Sequence, residues 1–589
     1  MTQTIMAAMA ATTETFAALP ALRHKAQDQW QTLSWADYAS QTRLVARALM
    51  ALGLGPKEGL VIIGDNCPTW FIANLAAIYA GGIPAGIYAT NSPEQCRYIA
   101  ENSGATIAVV ENSSQLAKLK AIAEQLPKLK AIVMMEGADP AEHVYSWHEL
   151  PQLAEQISEQ ALVERIEAQA VDDVCTLIYT SGTTGNPKGV MLSHRNLTWM
   201  AATSVEAYGC NSDERIISYL PLSHIAEQIF SLYVPLHCGG CTSFAESLDA
   251  LGDNLREVRP TSFIAVPRVW EKIQAKMLSA GADSPVLRKK VVAWARKLGL
   301  KGGYALQQNK ALPFLYPLAN KLIFAKVRQQ LGFDRCRNLL TSAAPISHDT
   351  LEFFLSLGLP ICEIYGMSEC AGAATIARTG HHHTGTLGRC MPGAEIRIAD
   401  DGEILLRGPH ICAGYLNNEV ATREAIDAEG WLHSGDIGAI NDAGFLQITG
   451  RKKDIIITAG GENIAPQLLE GKIKTLAVVS QAVVIGDQRK YLTALMTLDA
   501  ENLYSELRAA GSRANTPQEA IQCEQLRSHI QQQLDGINSQ LAKVQTIKKF
   551  TLLAEDFSIE GEELTPTMKI KRNVVSLKYQ AHISAMYES

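Results

Sequence analysis

Short runs of apolar residues alternate with longer segments of mixed polarity along most of the chain up to about residue 450. In the longer segments the apolar residues recur at helical spacing and follow capping residues, whereas the short runs are typical of buried strands. This alternation predicts an α/β fold with mixed or largely parallel sheets and helices packed on them. The predicted strands include GLVIIG (59–64), TIAVVE (106–111), AIVMME (131–136), TLIYT (176–180) and TSFIAV (261–266).

The pattern changes in the last third of the chain. In AEIRIADDGEILLRG, apolar and polar residues alternate on either side of Asp401-Gly402, which predicts a β hairpin and a β-subdomain. From about residue 453 a shorter module follows, with strand-like IIIT, AVVIG and LTALMTL and a helix-like segment around 528–544. We therefore predict a large N-terminal domain over 1–451 and a small α+β domain over 452–589.

Composition narrows the class of protein. The 589 residues are 47% hydrophobic and 19% charged, as in a soluble globular protein with more than one domain. A net charge of −7 argues against general nucleic-acid binding, and twelve cysteines without framework spacing indicate reduced thiols in a cytoplasmic protein. The uncharged run 68–88 is long enough to cross a membrane, but Gly81, Gly82 and Pro84 interrupt it. It predicts a buried helix followed by a short strand, not a membrane span.

The segment YTSGTTGNPKG (179–189) is a loop with little bulk and several groups that bind anions. Its glycines let backbone N–H groups approach phosphate oxygens, its hydroxyls add donors, and Lys188 adds a positive charge. The P-loop of nucleotide triphosphatases does not match, because Pro187 replaces the second glycine and Gly189 replaces the Ser or Thr that binds magnesium. The loop therefore predicts a phosphate site of another kind, with a plain flexible hairpin as the alternative.

The segment LIYTSGTTGNPKGVMLSH resembles the signature loop of the adenylate-forming superfamily, which includes acyl-CoA synthetases, luciferases and peptide-synthetase adenylation domains. Further segments are similar in the family's order, so the resemblance spans nearly the whole chain. They are YLPLSHIAEQ (219–228), TSAAPIS (341–347), EIYGMSE (363–369), GWLHSGDIG (430–438), ITGRKKDIIITAGGENIAP (448–466) and PTMKIKR (566–572).

The resemblance implies an enzyme that joins a carboxylate to AMP and so converts a poor electrophile into a reactive acyl-adenylate. It implies that the glycine-rich loop binds the β- and γ-phosphates of ATP, and that Glu369 binds Mg²⁺ with Thr180 as companion. The residues of the loop that carry over are Thr180, Ser181, Gly182, Thr183, Thr184, Gly185 and Lys188.

The resemblance also implies a nucleotide site. Tyr365 is expected to lie against adenine and Asp436 to accept hydrogen bonds from the ribose hydroxyls, supported by Arg451. For Tyr365 and Glu369 the alternative is a capped helix start, and for Asp436 it is a turn-forming residue. His224 is expected to line the approach of the acyl carboxylate, with a packed core histidine as the alternative. The remaining implied cofactor contacts are Ala344, Gly366, Met367 and Ser368.

The last matching segment implies a catalytic lysine on a mobile C-terminal domain. It places this lysine at Lys569, with Met568 where relatives carry glycine and Lys571 as the less favoured candidate. Lys453 corresponds to the hinge about which the small domain swings between adenylate formation and thioester formation. After that swing Gly460 and Gly461 are expected to meet the pantetheine arm of coenzyme A.

The substrate is indicated only by similarity. The segments FIAVPRVWEKI (263–273) and 548–572 look most like those of long-chain fatty acyl-CoA synthetases. This resemblance implies fatty acid, ATP and coenzyme A as substrates and Mg²⁺ as cofactor. An acyl-carrier-protein ligase or another acyl or aryl adenylate-forming enzyme is the alternative within the class, and a catalytically silent acyl-nucleotide binder is the alternative outside it. Whether the protein is a monomer or a homodimer is left open.

The segment LRKKVVAWARKLG (287–299) reads as a basic amphipathic helix. Leu287, Val291, Trp294 and Leu298 recur at helical spacing among lysines and arginines. Such a helix can lie on an anionic membrane, which would place the protein peripherally at the inner face of the membrane. The favoured alternative is an ordinary surface helix that buries its apolar stripe.

Overall fold

The computed structural model describes residues 3–180, 186–282, 284–565 and 568–588. The strands within these ranges, numbered in chain order, are β1 (Pro20–Ala26), β2 (Gln29–Ser34), β3 (Gly59–Ile63), β4 (Ile83–Ile87), β5 (Ala105–Val110), β6 (Ala131–Met134), β7 (Val144–Ser146), β8 (Val174–Thr180), β9 (Lys188–Ser193), β10 (Arg215–Ser218), β11 (Cys241–Phe244), β12 (Ser262–Ala265), β13 (Asn338–Thr341), β14 (Ile361–Glu363), β15 (Thr375–Ile376), β16 (Arg389–Cys390), β17 (Glu395–Ile398), β18 (Glu403–Arg407), β19 (Leu432–Ile440), β20 (Leu446–Arg451), β21 (Ile456–Ile457), β22 (Asn463–Ile464), β23 (Val479–Ile485), β24 (Leu492–Leu498) and β25 (Ile547–Leu553).

The α-helices of the same ranges lie between these strands for most of the chain, as the alternating pattern predicts. They are α1 (Ile5–Phe16), α2 (Trp35–Ala51), α3 (Pro68–Tyr79), α4 (Pro93–Asn102), α5 (Ser113–Lys120), α6 (Leu150–Ala154), α7 (Glu159–Glu167), α8 (His194–Tyr208), α9 (Ile225–Glu227), α10 (Val234–Cys238), α11 (Leu251–Val258), α12 (Pro267–Ala282), α13 (Val286–Gln307), α14 (Tyr316–Ala319), α15 (Ala325–Leu331), α16 (His348–Leu355), α17 (Glu419–Ala425), α18 (Pro466–Ile473), α19 (Leu503–Ala509), α20 (Pro517–Ala520), α21 (Glu524–Asn538), α22 (Arg572–Lys578) and α23 (Gln580–Tyr587).

The largest sheet has seven strands in the order β7-β6-β5-β3-β4-β8-β9. All neighbouring pairs are parallel except β8 and β9, which form an antiparallel hairpin. Strands β3 and β5 are buried at every position, which explains why they are continuous apolar runs in the sequence. The α/β class and the strands predicted in this region are confirmed.

The uncharged run 68–88 forms the predicted helix and strand. Helix α3 is buried at nearly every residue and ends before Gly81, whose φ of +76° turns the chain into β4. None of the described helices combines the length and the apolar character that crossing a membrane requires.

Two further sheets carry the loops of the predicted site. The order β10-β11-β1-β2 forms one sheet and the parallel strands β12-β13-β14 form another. The TSAAPIS segment leaves the carboxyl end of β13, and the EIYGMSE segment begins in β14. The carboxyl ends of neighbouring parallel strands therefore present both segments at one edge, as ligand sites of open α/β sheets require.

The predicted β hairpin is present as β17 and β18, which pair antiparallel around Gly402 at a φ of +84°. Strands β19 and β20 complete a four-stranded antiparallel sheet, the predicted β-subdomain. The register of this sheet sets Asp436 directly opposite Arg451. Two residues that the sequence places in different motifs are thus held side by side.

The C-terminal module contains a three-stranded sheet, β23-β24-β25, under α18 and α21. The predicted helix at 528–544 begins and ends earlier, because the Cys523 side chain caps its start and Asn538 exchanges hydrogen bonds with Ile547 at its end. The strand predicted from IIIT is only β21, two residues long. The 1–451 and 452–589 domain boundary stays a prediction; a single 3-10 turn, Lys452–Asp454, lies there.

Candidate active site

Lys569 is the centre of a group of charged side chains from distant parts of the sequence. It is exposed to solvent, and protein atoms lie close enough around it to shift its pKa. Burial lowers the pKa of Lys569, and the nearby Arg451 lowers it further. Asp436 and Glu369 act in the opposite direction on the same pKa. The structure therefore brings these predicted site residues into electrostatic contact.

Asp436 is the most tightly held member of the group. It is buried, and its Oδ2 accepts a hydrogen bond from the Tyr365 hydroxyl at 2.7 Å. Its Oδ1 accepts from Arg451 Nε at 3.0 Å, and the Ser434 hydroxyl accepts from the Asp436 N–H. Burial lowers the pKa of Arg451, but Asp436 and other anions outweigh it and raise the pKa overall. A carboxylate has about four acceptor positions, so two remain for a vicinal diol.

Gly366 is required by the backbone itself. A Cβ at this position would lie 1.7 Å from the carbonyl oxygen of Gly372, so no larger residue fits without moving the chain. The resemblance implies that Gly366 allows a ligand to approach closely. The contacts show a different reason for this glycine, which is that its backbone packs against Gly372. Met367 and Ser368 follow in the same turn, with Ser368 buried.

Glu369 is joined to Lys188 through Tyr415, a residue that sequence reasoning missed. The Tyr415 hydroxyl donates to Glu369 Oε1 at 2.8 Å, and Lys188 Nζ lies 4.5 Å from the centre of the Tyr415 ring. Tyr415 reaches this place because its segment pairs with β9 through a bridge to Val190. No local pattern signals such a pairing, so only the fold reveals it.

The two ends of the predicted phosphate loop are held together by the β8–β9 hairpin. Thr180 closes β8 and lies opposite Lys188, the first residue of β9. The second strand predicted after the loop is confirmed. The predicted loop residues that lie outside the described residues are Ser181, Gly182, Thr183, Thr184 and Gly185.

Ala344 is exposed in the loop that follows β13. The preceding Ala343 has a φ of +74°, in the left-handed region that residues with a side chain rarely adopt. Strained backbone of this kind is concentrated at binding and catalytic loops. The strain sets the TSAAPIS segment apart from an ordinary strand-to-helix turn.

His224 is neutral at pH 7. Burial lowers its pKa to about 4, and the positive charge of Lys569 contributes to the shift. Its Nδ1 accepts a hydrogen bond from the Ala226 N–H at 3.2 Å and so caps α9, which leaves the ring proton on Nε2. The histidine combines a structural role as a cap with a place beside Lys569.

Met568, the residue directly before Lys569, is held in a strained conformation. Met568 has a φ of +62°, the left-handed region in which the glycine of related sequences carries no penalty. The Lys569 N–H donates to the Thr565 hydroxyl at 3.0 Å, and the Thr565 N–H donates to the Lys569 carbonyl at 2.8 Å. Arg572, three residues after Lys569, pairs with Glu470 of α18.

Three predicted residues lie apart from the group around Lys569. Lys453 is exposed in the 3-10 turn after β20, and Gly460 and Gly461 are exposed between β21 and β22. Gly461 has a φ of +79°, and nothing lies within 4 Å of the position its Cβ would take. Among the contacts of the described residues, none joins these three to Lys569.

Glu227 is a buried carboxyl that sequence reasoning did not single out. Its Oε1 accepts from the hydroxyls of Ser218 at 2.6 Å and Ser231 at 2.7 Å. Burial raises its pKa to about 7 against these hydrogen bonds. It lies three residues after His224, where a π-helical segment, Gln228–Tyr233, begins. Such segments are frequent at functional sites.

Glu227 is expected to make folding depend on pH. Between its ordinary pKa of 4.5 and a folded value of about 7, the native state keeps a proton that the unfolded state loses. Stability therefore falls as pH rises through this window, by up to about 3 kcal/mol. Glu227→Gln is expected to lack this part of the decline. Denaturant unfolding at about pH 5 and pH 7.5 tests it, because Glu363, with a pKa also raised to about 7, stays in both proteins. Parallel pH profiles would contradict the expectation.

Comparison with known proteins identifies the family. The model of the AMP-binding enzyme family matches residues 9–416, and that of the AMP-binding enzyme C-terminal domain matches residues 453–589. The protein belongs to the AMP-binding enzyme family, and the resemblance to adenylate-forming enzymes is confirmed.

Two similar curated proteins share one name. Long-chain-fatty-acid--CoA ligase ACSBG2 of Xenopus laevis is 42% identical over 602 residues, which cover 96% of this chain and 81% of that protein. The protein of the same name from Homo sapiens is 39% identical over 603 residues, covering 97% of this chain and 90% of that protein.

Solved structures share the fold at low identity. The anthranilate CoA ligase AuaEII in complex with anthranoyl-AMP superimposes with a TM-score of 0.74 at 19% identity, covering 99% of this chain and 98% of that one. ATP-bound MatB from Rhodopseudomonas palustris gives a TM-score of 0.72 at 22% identity, covering 98% and 99%. Both support the predicted fold class, including the small C-terminal α+β part.

Proposed function

We propose that the protein is a long-chain fatty acid–CoA ligase. ATP and a fatty acid give an acyl-adenylate and pyrophosphate, and coenzyme A then gives acyl-CoA and AMP. The observation that carries the proposal is Lys569 in one electrostatic group with Asp436, Arg451 and Glu369. The curated relatives named above support the long-chain acid and the coenzyme A acceptor.

In this proposal the nucleotide is bound along the edge where the motifs meet. Asp436 accepts the ribose hydroxyls with its remaining lone pairs, and Arg451 balances the carboxylate and the phosphates. Tyr365 lies against adenine, anchored through its hydroxyl to Asp436. The glycine-rich loop, with Lys188 at its end, binds the β- and γ-phosphates. The other proposed cofactor contacts are Ala344, Gly366, Met367 and Ser368.

Asp436→Asn is expected to raise the KM for ATP roughly tenfold, with a smaller effect on kcat. The substitution keeps the shape but weakens charge-assisted hydrogen bonds that contribute about 1.5–3 kcal/mol each. Initial rates of pyrophosphate exchange as a function of ATP concentration measure both constants. Asp427→Asn, at an acidic residue of the same β-subdomain, is the control, and an unchanged KM in Asp436→Asn would contradict the ribose role.

The residues fit a magnesium ion. The Glu369 carboxylate is a hard oxygen ligand, and among the described residues its second oxygen accepts no hydrogen bond, while Oε1 accepts from Tyr415. Mg²⁺ is commonly held by one or two carboxylates together with substrate phosphates and water. Glu369 would hold the ion with Thr180 as companion, and the ion would neutralise phosphate charge when bound.

Lys569 supplies the charge for the first step. A carboxylate anion that approaches the α-phosphate of ATP is repelled, and a cation between the two lowers the barrier. Nearby protein lowers the pKa of Lys569, and the same partial removal of water strengthens its interaction with a developing negative charge. Neutral His224 adds no competing charge and lines the approach of the acyl carboxylate.

The second step needs Lys569 out of the way of the thiol. We propose that the small domain, 452–589, swings about Lys453 and brings Gly460 and Gly461 to the pantetheine arm. Both glycines are exposed, and open space surrounds Gly461. Backbone without side chains suits close passage of a narrow ligand.

A long acyl chain supplies selectivity through buried methylenes. Each buried CH₂ contributes about 0.8 kcal/mol, so about 14 of them give on the order of 11 kcal/mol before entropy costs. The direct test is release of AMP across a series of acids of increasing length, with and without coenzyme A. AMP that depends on both a long acid and coenzyme A supports the proposal. Turnover that requires acyl carrier protein instead would support the carrier-protein alternative.

We also propose that the protein is located in the cytoplasm. All twelve cysteines are free, which agrees with a cytoplasmic protein, and peripheral contact with the inner face of the membrane is proposed in addition.

A further inference from the structure

Exposed apolar side chains are concentrated in one short part of the chain. Over residues 306–322 six large apolar residues are exposed, and Phe314 is 96% exposed, the highest value of any large hydrophobic residue described. Isolated exposed apolar residues are ordinary, whereas a contiguous group marks an interaction site. The six residues are Leu306, Leu312, Phe314, Leu315, Leu318 and Leu322.

This group lies outside the stripe that the sequence predicted. Trp294 and Leu298 of α13 are packed against a small core of Ala295, Ala319 and Phe324, so the middle of that stripe is partly buried within the protein. Leu287, at the start of the helix, is 75% exposed. The ordinary surface-helix alternative therefore agrees with Trp294 and Leu298, and the group of six exposed apolar residues lies later in the chain, at 306–322.

The exposed residues are held in place by α13. A Cβ on Gly302 would meet the Tyr316 ring at 2.4 Å and Leu312 at 3.3 Å, so the segment after α13 folds back closely onto it. Leu318 and Leu322, one helical turn apart, are exposed while their neighbours Ala319 and Phe324 are fully buried. The segment thus has a packed inner side and an apolar outer side.

The charge around this apolar surface has one sign. Between Asp283 and Asp334 the sequence contains ten lysines and arginines and no aspartate or glutamate, in a chain whose net charge is −7. Five of the lysines lie in the sequence close to or among the apolar residues and are exposed, and among the ion pairs of the described residues none uses them. They are Lys297, Lys301, Lys310, Lys321 and Lys326.

We propose that the 306–322 apolar residues and the five lysines form one docking surface for an anionic phospholipid bilayer. Apolar side chains that enter the acyl boundary and lysines that meet the headgroups are the two contributions that hold a protein at such an interface. A second copy of this chain fits less well, because an isologous contact would set the lysines of both copies against each other. The same contact would deliver fatty acid to the site, a role that rests on the proposed function. Helix α13 packs through Gly299 and Gly303 on Leu355 and Ser356. These two residues lie at the end of α16, the helix that follows the Ala344 loop.

The test is sedimentation of the full chain with vesicles of phosphatidylcholine, with and without phosphatidylserine. The wild-type protein is expected to sediment only with the anionic vesicles and to be released by high salt. Phe314→Ser with Leu318→Ser, and separately Lys310→Glu with Lys321→Glu, are each expected to weaken binding about tenfold or more. Leu248→Ser with Val420→Ser, and Lys128→Glu with Lys490→Glu, change exposed residues elsewhere and are expected to bind as wild type.

Other outcomes overturn the proposal. Wild-type protein that stays in the supernatant, or control variants that lose binding equally, would rule out this surface. A change of oligomeric state in the Phe314 and Leu318 variant, measured by sedimentation equilibrium without lipid, together with unchanged vesicle binding would make it a contact between copies. Thermal melts show that each variant is folded. The vesicle assay does not use catalysis, so its result is independent of the proposed ligase activity.

Discussion

Replacing Lys569 by alanine is expected to slow acyl-adenylate formation by on the order of 10²-fold or more. The charges of Asp436, Glu369 and Arg451 all act on this amine, and in the proposed mechanism its own charge meets those of the carboxylate and the α-phosphate. Because most of the proposed ATP contacts lie in the predicted large domain, the KM for ATP is expected to change much less than kcat. Acid-dependent pyrophosphate exchange measures this half-reaction directly.

Lys571→Ala is the matched control for this variant, since Lys571 lies two residues away and has no place in the charged group. It is expected to keep exchange near the wild-type rate. If Lys571 were the catalytic lysine instead, Lys571→Ala would lose exchange and Lys569→Ala would keep it. Exchange that survives in Lys569→Ala would therefore refute the catalytic role of Lys569. Purified protein that forms no acyl-AMP from palmitate, ATP and magnesium would remove the basis of the proposed function altogether.

The same lysine is expected to limit activity at high pH. Its charge is lost as pH rises through its folded pKa, which burial and Arg451 bring below the ordinary value of 10.5. Adenylate formation should therefore decline at a lower pH than an exposed lysine would cause. A pH profile of pyrophosphate exchange that still rises where ordinary lysines begin to titrate would contradict the lowered pKa.

The strands of the large sheet were predictable because parallel strands are buried on both faces. Each therefore forms a continuous apolar run, as β3 and β5 do. The C-terminal helix was misplaced by several residues because its limits depend on side-chain contacts. The Cys523 cap and the bonds between Asn538 and Ile547 are set by the fold and leave no periodic signal.

The residues of the candidate site likewise divide into those that short motifs predict and those that depend on contacts in the fold. Asp436 and Lys569 were predicted from motifs, because their chemistry is tied to short recognisable segments. Tyr415 and Glu227 were missed, because one depends on a bridge to β9 and the other on hydroxyls from two separate elements. Contacts between distant segments create these roles. They cannot be inferred from a single sequence without the fold.

In the proposed two-step reaction, the orientation seen in the structure has to change before the thiol of coenzyme A reacts. Lys569 lies in the charged group, and Arg268 of the predicted large domain lies 3.3 Å from the Ser480 hydroxyl and 3.5 Å from Asp499 of the predicted small one. These contacts suit adenylate formation and must break if the small domain swings. The backbone change of such a swing has to be absorbed by very few residues.

Lys453→Pro is therefore expected to keep adenylate formation and lose thioester formation, by on the order of 10²-fold or more in the second half-reaction. Proline fixes φ near −65° and restricts the preceding Lys452, which is anchored to Asp401 and Glu403 on the large domain. Lys453→Ala removes the same side chain, leaves φ free and serves as the control. Pyrophosphate exchange and transfer from preformed acyl-AMP to coenzyme A are measured separately. If the proline variant loses both activities equally, or if the alanine variant behaves like it, rotation at residue 453 is not what separates the two steps.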